Sequence, residues 1–467
     1  MEEELGPPIK SAYLQQSPVK KQIDALKVAV DEAQKKIDYA MVHNPDLQKA
    51  IHVVESFLRK SGRICYGGQA INANLPNELK FYDEDYELPD YDFFTPSETQ
   101  DVTELVKMLE KEGFTDISEK PGIHEGTRKI FVNYVAVADV TYIDPEVYKQ
   151  FYKHSVTFAG IRYCSPDILR MNMYLELSRP LGQVERWEKV FQRLLLLNKA
   201  SPIKTCGEKR IEKQNIDPFY REKVIQFMIS EKRVLAGAEV GFVYRRFENE
   251  KASMDWILHS GGTILLFSPD IEKDTEAVLD TIGLKSTQVI RRPGFENIFP
   301  NRILIRKNRQ PLVYLIQEDA CTSYNEIKLR NSGIIRIASM DSLITLYLQL
   351  GLLTKDEVFL GIPVLCLAQR FIELVDKIRK APAGKFPAFT LQCSGHQPSY
   401  MTLQREKKNR MNAAKKIKQV KPKTRKIEKS RKFKRTHRTH KRKHAEGRKH
   451  AQGKYVKGRK HMGSRSH

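Results

Sequence analysis

Apolar residues fall into helical spacing soon after a polar, proline-containing start. Ile23, Leu26, Val30, Ala33 and Ile37 predict one helix; Leu47, Ile51, Val54 and Leu58 predict a second over 45–60. Ser61-Gly62 ends it, and Arg63–Tyr66 reads as a short strand running into Gly67-Gly68. Residues 69–75 suit a short helix, a polar and acidic insertion (77–89) follows, and 90–95 read as a strand. Ser97 is placed to cap a helix striped by Val102, Leu105, Val106 and Leu109, with Gly113 as its stop. The run 129–143 is the strongest β signal in the chain. Helices are predicted over 168–177, 183–199 and 219–235, with a basic loop, Lys204–Lys213, between the last two.

The pattern then repeats. Phe94-Thr95-Pro96-Ser97 is echoed by Phe267-Ser268-Pro269-Asp270, and a helix ending in Gly113 by one ending in Gly283. The strand over 137–143 has a counterpart over 312–317, and Ser165-Pro166-Asp167 has one in Ser339-Met340-Asp341. Four matches in order at nearly one offset imply a duplicated α/β unit. The expected class is therefore α+β, mixed sheets with helices. Its expected segments are a helical arm (1–44), a first domain (45–180), a helical connector (181–258), a second domain (259–395) and a basic disordered tail (396–467).

Charge separates the tail from the body. From Met401 onward the chain holds 27 of its 80 Lys and Arg but 3 of its 57 Asp and Glu, leaving 53 basic against 54 acidic groups elsewhere. Such a tail cannot bury enough apolar surface to fold alone, and its charge suits RNA phosphates. The six cysteines form no CxxC pair, which argues against a zinc knuckle and for reduced thiols. No apolar run has the length of a membrane span, and the acidic start does not resemble a signal peptide.

The candidate chemistry lies in the first unit. Asp90 and Asp92, at i and i+2 of a strand, point to one face, and Asp139 lies on a neighbouring strand. Three converging carboxylates can hold two divalent metals, the arrangement that serves phosphoryl and nucleotidyl transfer. Glycines at 67 and 68 leave room for phosphates to approach the backbone; no GxxxxGK[ST] loop is present. Asp83-Glu84-Asp85 is a rival acidic cluster, but only Asp90 and Asp92 lead into a buried strand, Phe93-Phe94. Arg128 and Lys129 could reach a triphosphate or an RNA backbone, or form a solvated strand end. One of Arg162, Ser165 and Asp167 could contact nucleotide, with helix capping as the alternative, and Asn72 is either a nucleotide-side contact or an ordinary helix residue. In the second unit an offset of 173 puts Thr263, Leu265 and Leu312 where the acids would be, so that copy reads as catalytically silent.

Tyr66-Gly67-Gly68-Gln69-Ala70-Ile71-Asn72, Pro89-Asp90-Tyr91-Asp92-Phe93-Phe94-Thr95-Pro96 and Val137-Ala138-Asp139-Val140 together resemble the poly(A) polymerase catalytic subunits of large DNA viruses, the giant-virus members most of all. The 21 residues between the glycine pair and the first acid exceed the spacing of the wider polymerase-β-like superfamily and suit this branch. The resemblance implies a nucleotidyltransferase core followed by a degenerate nucleotidyltransferase-like domain, and template-independent addition of AMP from ATP to mRNA 3′ ends. It implies Gly67 and Gly68 on the triphosphate and Asp90, Asp92 and Asp139 on two Mg²⁺ or Mn²⁺ ions; Lys129 and Ser165 are added as nucleotide contacts from their places in the sequence alone. RNA and ATP are the implied partners, with a homodimer or an accessory subunit open, and the host cytoplasm (the viral factory) and the virion the implied locations. A uridylyl- or CCA-type transferase, or a non-catalytic RNA-binding protein, stands as the alternative.

Overall fold

The computed structural model describes residues 11, 13–123, 126–203, 216–247, 262–295, 298–329, 333–353, 364–380 and 386–419. Two helices, α1 (Ser17–Val42) and α2 (Pro45–Ser61), lead in. Asn44 caps α2 by accepting from the backbone of Asp46 and Leu47, and Gly62, at φ 63°, ends it. The α2 stripe is buried as its spacing requires. The α1 stripe is not: Leu26, Val30 and Ile37 are exposed.

The first sheet holds β1 (Ile64–Tyr66), β2 (Tyr91–Thr95), β3 (Ile117–Pro121), β4 (Thr127–Val132), β5 (Val135–Tyr142), β6 (Val156–Phe158) and β7 (Ile161–Tyr163), in the order β3-β4-β5-β2-β1-β7-β6. Helices α3 (Gly67–Ala73), α4 (Glu98–Lys111), α5 (Pro145–His154), α6 (Pro166–Leu177) and α7 (Trp187–Ala200) accompany it. Its core includes Phe57, Phe93, Leu105 and Val140, all buried; each such side chain contributes about 1.5–3 kcal/mol. The long β signal at 129–143 is a hairpin rather than one strand. Asn133 and Tyr134 take φ of 50° and 67°, the left-handed pair that a tight hairpin turn needs. Tyr134 is a residue that pattern reading does not associate with that turn.

The second sheet repeats the first. After α8 (Pro218–Ser230) come β8 (Val234–Leu235), α9 (Glu239–Phe247), β9 (Ile264–Ser268), α10 (Ile271–Ile282), β10 (Thr287–Arg292), β11 (Arg302–Lys307), β12 (Gln310–Gln317), β13 (Thr322–Leu329), β14 (Gly333–Ala338), α11 (Met340–Leu353) and α12 (Val364–Lys380). Its order is β10-β11-β12-β9-β8-β14-β13, with β15 (Cys393–Ser394) added at the edge. Strand by strand the directions match: β1·β2 and β8·β9 are antiparallel, while β2·β5 and β9·β12, and β1·β7 and β8·β14, are parallel. The bulge between Ile130 and Phe131 recurs between Ile305 and Arg306, and the Asn133-Tyr134 turn recurs at Asn308-Arg309. Each half also carries one forked ion pair at the foot of its first strand. Arg63 donates to Asp101 at 2.6 and 2.9 Å, and Arg233 to Asp274 at 2.6 and 2.8 Å.

Three features depart from the sequence reading. The segment 181–258, expected to be a helical connector, contains β8 and α8, the counterparts of β1 and α2, and the helix expected over 219–235 stops at Ser230 for that reason. Residues 400–419, placed in a disordered tail, form helix α13 (Tyr400–Gln419), and Arg410 donates to the carbonyls of Gly122 and Ile123. Cysteines 321 and 393, expected as reduced thiols, form a disulfide, because β13 and β15 pair antiparallel and bring their Cα atoms to 5.3 Å across a separation of 72 residues. Cys65 and Cys164 are free and buried. The basic loop 204–213 and the chain from 420 onward lie outside the described residues. Among the described residues no helix is long and apolar enough to cross a membrane.

The ion pairs give a test of the repeated frame. Asp101→Ala or Asp274→Ala strands an arginine with little access to water, and either should lower stability by about 2–3 kcal/mol in chemical denaturation. A loss below about 0.5 kcal/mol at either site would remove the pair from the frame.

Candidate metal centre

Register alone brings the acids together. β2 and β5 run parallel with Asp92 directly beside Asp139, and Asp90 precedes β2 with its side chain on the face of Asp92. One oxygen from each of Asp90, Asp92 and Asp139 lies within 4.8 Å of the others. Among the described residues this is the cluster of acids suited to a metal ion. Asp139 is buried and its Oδ1 accepts no hydrogen bond, while Oδ2 meets Lys129 Nζ at 2.5 Å. An orphaned carboxylate oxygen among three acids and one ammonium fits a hard divalent cation, whose ligands are oxygens. The trio could hold one.

The electrostatics agree with that fit. Desolvation, then the neighbouring Asp139 carboxylate, raises the pKa of Asp90 above the ordinary carboxylate value, with Lys129 opposing. Asp92 is pushed well above it by burial first and by Asp90 and Asp139 next, against the pull of Lys129 and Arg186. Burial alone would depress the Lys129 ammonium; the Asp139 carboxylate and its hydrogen bond, with Asp90 and Asp92, outweigh it and the pKa rises.

Both glycines answer to side chains of the protein itself. Gly67 has φ 72°, and a Cβ there would run into the Asp92 carboxylate. A Cβ at Gly68 would meet the Tyr82 hydroxyl and, at 3.1 Å, Arg193 Nη1. Tyr82 comes from the acidic insertion, which Asn72 ties down by accepting from the Phe81 backbone at 3.0 Å. Arg193, on α7, stacks over Phe81 at 4.6 Å and donates to Tyr82 at 3.3 Å. Tyr66 supports the floor: its ring stacks on Phe94 at 4.0 Å and its hydroxyl meets Thr141 at 2.8 Å.

The remaining candidates divide. Ser165 is the N-cap residue of α6 and follows β7, which runs parallel to β1, so it leaves the sheet at the same end as Gly67. Arg128 is turned to Glu98 and Glu119, Arg162 to Ser155 and the Tyr152 ring, and Asp167 to Arg170. Asp83 folds back on its own loop, accepting from Asp85 N. Tyr82, Arg186 and Arg193 escaped the sequence reading, since an arginine on a helix or a tyrosine in a polar insertion carries no periodic or motif signal. In the second half the counterpart of Asp92 is Leu265, which pairs with Tyr314. Tyr314, not Leu312, is therefore the counterpart of Asp139. The hairpin leading to β12 sits two residues further along, at the offset its turn and bulge show.

Residues 52–183 match the family model described as the poly(A) polymerase catalytic subunit. A putative poly(A) polymerase catalytic subunit of Acanthamoeba polyphaga mimivirus is 30% identical over 165 residues, 35% of this chain and 28% of the relative. A putative poly(A) polymerase catalytic subunit of African swine fever virus (strain Badajoz 1971 Vero-adapted) is 28% identical over 172 residues, 36% of each chain. The match thus spans about a third of those relatives. The fold likeness reaches further: the crystal structure of the Megavirus polyadenylate synthase superposes with a TM-score of 0.69 at 21% identity, covering 88% of this chain and 85% of that one. The acids, the glycine pair and the Lys129 contact all fall inside the family stretch.

Burial of Asp92, with the repulsion of its neighbouring acids, predicts a sign for stability. Asp92 has a folded-state pKa above its unfolded value of 3.8, so ionising it costs the folded state as pH rises past that value. In chelator, Asp92→Asn should therefore raise the melting temperature at pH 7, with the gain gone near pH 3.5, where wild type is protonated in both states. A variant that melts lower than wild type at pH 7 would refute the account of Asp92 as a carboxylate strained by burial and by its neighbouring acids.

Proposed function

We propose that the chain is a poly(A) polymerase: a template-independent nucleotidyltransferase adding AMP from ATP to RNA 3′ ends. The observation that carries this is the Asp90–Asp92–Asp139 cluster with its orphaned Asp139 oxygen, lying inside the family stretch. In the reaction the RNA 3′-oxygen attacks the α-phosphorus, a new P–O bond forms, the bond to pyrophosphate breaks, and the hydroxyl proton passes to solvent. Two bound Mg²⁺ or Mn²⁺ ions would supply charge for the attacking and leaving oxygens. The three acids would hold them, Asp139 giving up Lys129 on loading, and Lys129 would then be free to face the triphosphate. Gly67 keeps Asp92 aimed at the site, and Gly68 leaves room for Tyr82 and Arg193 at its edge. Ser165, at the same end of the sheet, is a further nucleotide contact in this reading. The relatives are viral proteins, so we place the chain's work where viral transcripts are made, in the host cytoplasm.

Purified full chain with a short RNA, Mg²⁺ or Mn²⁺ and each nucleoside triphosphate in turn tests the reading. Extension with ATP is expected, with loss of at least about a thousandfold in Asp92→Ala at unchanged circular dichroism. Extension with UTP or CTP in preference to ATP would make it another transferase. Binding without extension by any nucleotide would make it an RNA-binding protein.

The segment beyond residue 419 gives a separate test. Its charge suits sequence-independent binding of RNA phosphates. Removing it should leave nucleotide addition intact, weaken RNA binding at moderate salt and flatten the salt dependence. An unchanged salt slope would rule out that role.

A further inference from the structure

Asp92 and Asp139 belong to a longer row. Register sets Lys120 of β3 beside Lys129 of β4, Lys129 beside Asp139, and Asp139 beside Asp92. Paired residues point to one face of a sheet, so two lysines and two acids share a single line across it. Strands lie about 4.8 Å apart, which puts the Lys120 backbone about 10 Å outside that of Asp139. Glu119 and Arg128 alternate with this row and pair on the other face.

Lys129 is engaged by Asp139. Lys120 is exposed and meets no carboxylate among the described residues; its ammonium lies 4.6 Å from the centre of the Phe131 ring. An aromatic face attracts a cation without neutralising it, so the charge stays open to an anion. An exposed lysine on a strand is ordinarily no more than a solvated charge, but the second half ties this one to the site. The same row there reads Ile290, Leu304, Tyr314 and Leu265. Lys120 and Lys129 disappear together with Asp139 and Asp92, while the strand order that carried them remains.

The flank on which Lys120 stands identifies its partner. In the order β3-β4-β5-β2-β1-β7 the acids are central, with Lys120 to one side and Gly67 and Ser165 to the other. An in-line displacement keeps the attacking strand and the leaving pyrophosphate on opposite sides of the phosphorus. Resting on the nucleotidyltransferase reading above, we infer that Lys120, held over Phe131, binds a backbone phosphate of the RNA just behind its 3′ end. The nucleotide takes the glycine flank and the RNA takes the lysine flank. Two residues beyond Lys120, the turn after β3 receives Arg410 of α13, whose Arg405 and Lys408 are exposed, so further positive charge lies past that turn.

Full-length chain with a short RNA and ATP gives the first readout. Lys120→Ala should raise the KM for RNA about tenfold and lower its salt slope by about 0.7, the share of one phosphate on a single strand. The kcat and the KM for ATP should not change, and Lys120→Arg should keep the wild-type KM for RNA. Lys107→Ala removes an equal charge from α4, the helix that Arg128 meets on the opposite face, and should have no effect. An unchanged KM for RNA in Lys120→Ala, an equal rise in Lys107→Ala, or a rise confined to the KM for ATP overturns the assignment. Photocrosslinking gives a readout without transfer. RNA with a photoreactive thiouridine at its 3′ end, bound in Ca²⁺ with no nucleotide, should crosslink to peptides of β3 and β4, and less so in Lys120→Ala. Crosslinks confined to other segments overturn the assignment. A chain that crosslinks there but extends nothing loses the polymerase reading and keeps the RNA site. One that extends RNA with Lys120→Ala unaffected keeps the polymerase reading and loses the site.

Discussion

Like charges do not gather without a frame that forces them. The parallel pairing of β2 with β5 sets Asp92 beside Asp139, and the period of the strand sets Asp90 on the same face. Around that repulsion the neighbouring residues become intelligible. Gly67 is glycine because the Asp92 carboxylate fills the space where a Cβ would go, and its backbone takes a conformation other residues resist. Lys129 is the compensating charge, facing Asp139 from the next strand. The stacked Tyr66 and Phe94 and the threonines at 127 and 141 hold the sheet beneath firm enough for the acids to stay where they repel.

The second half shows what the frame looks like when that demand is lifted. Strand order, strand direction, bulge, tight turn and forked Arg–Asp pair all persist, but the site positions have become Thr263, Leu265 and Tyr314, all buried. A glycine persists too, at Gly237, where a Cβ would meet Glu239, a buried carboxylate near Arg221. The fold therefore does not require acids on β2 and β5. Their presence in one half and replacement by core residues in the other sets them apart from what the frame itself requires.

Much of this was legible in the chain because periodic signals survive translation into structure. Stripes such as Leu47–Leu58 became buried helix faces, and Asp-x-Asp before two phenylalanines became a strand end with both acids on one side. What escaped has physical reasons. The turn at Asn133-Tyr134 splits an unbroken β run without the usual glycine, and β8 is too short to show a period of two. The Cys321–Cys393 bond joins residues far apart in sequence. Tyr82 and Arg193 reach the glycine pair from an insertion and a helix that share no motif with it. The α1 stripe was read correctly as helical, yet spacing cannot say whether a face is covered, and this one is exposed.

Arg410 donates to the carbonyls of Gly122 and Ile123, joining the last described helix to a loop of the first sheet. A chain leaves the ribosome from its amino end, so the acids and their sheet emerge early, long before α13 exists. The edge of the first sheet must then wait, with those two carbonyls unclaimed by Arg410, until the whole second half has been synthesised. The half that carries the three acids is the first to be made and among the last to be finished.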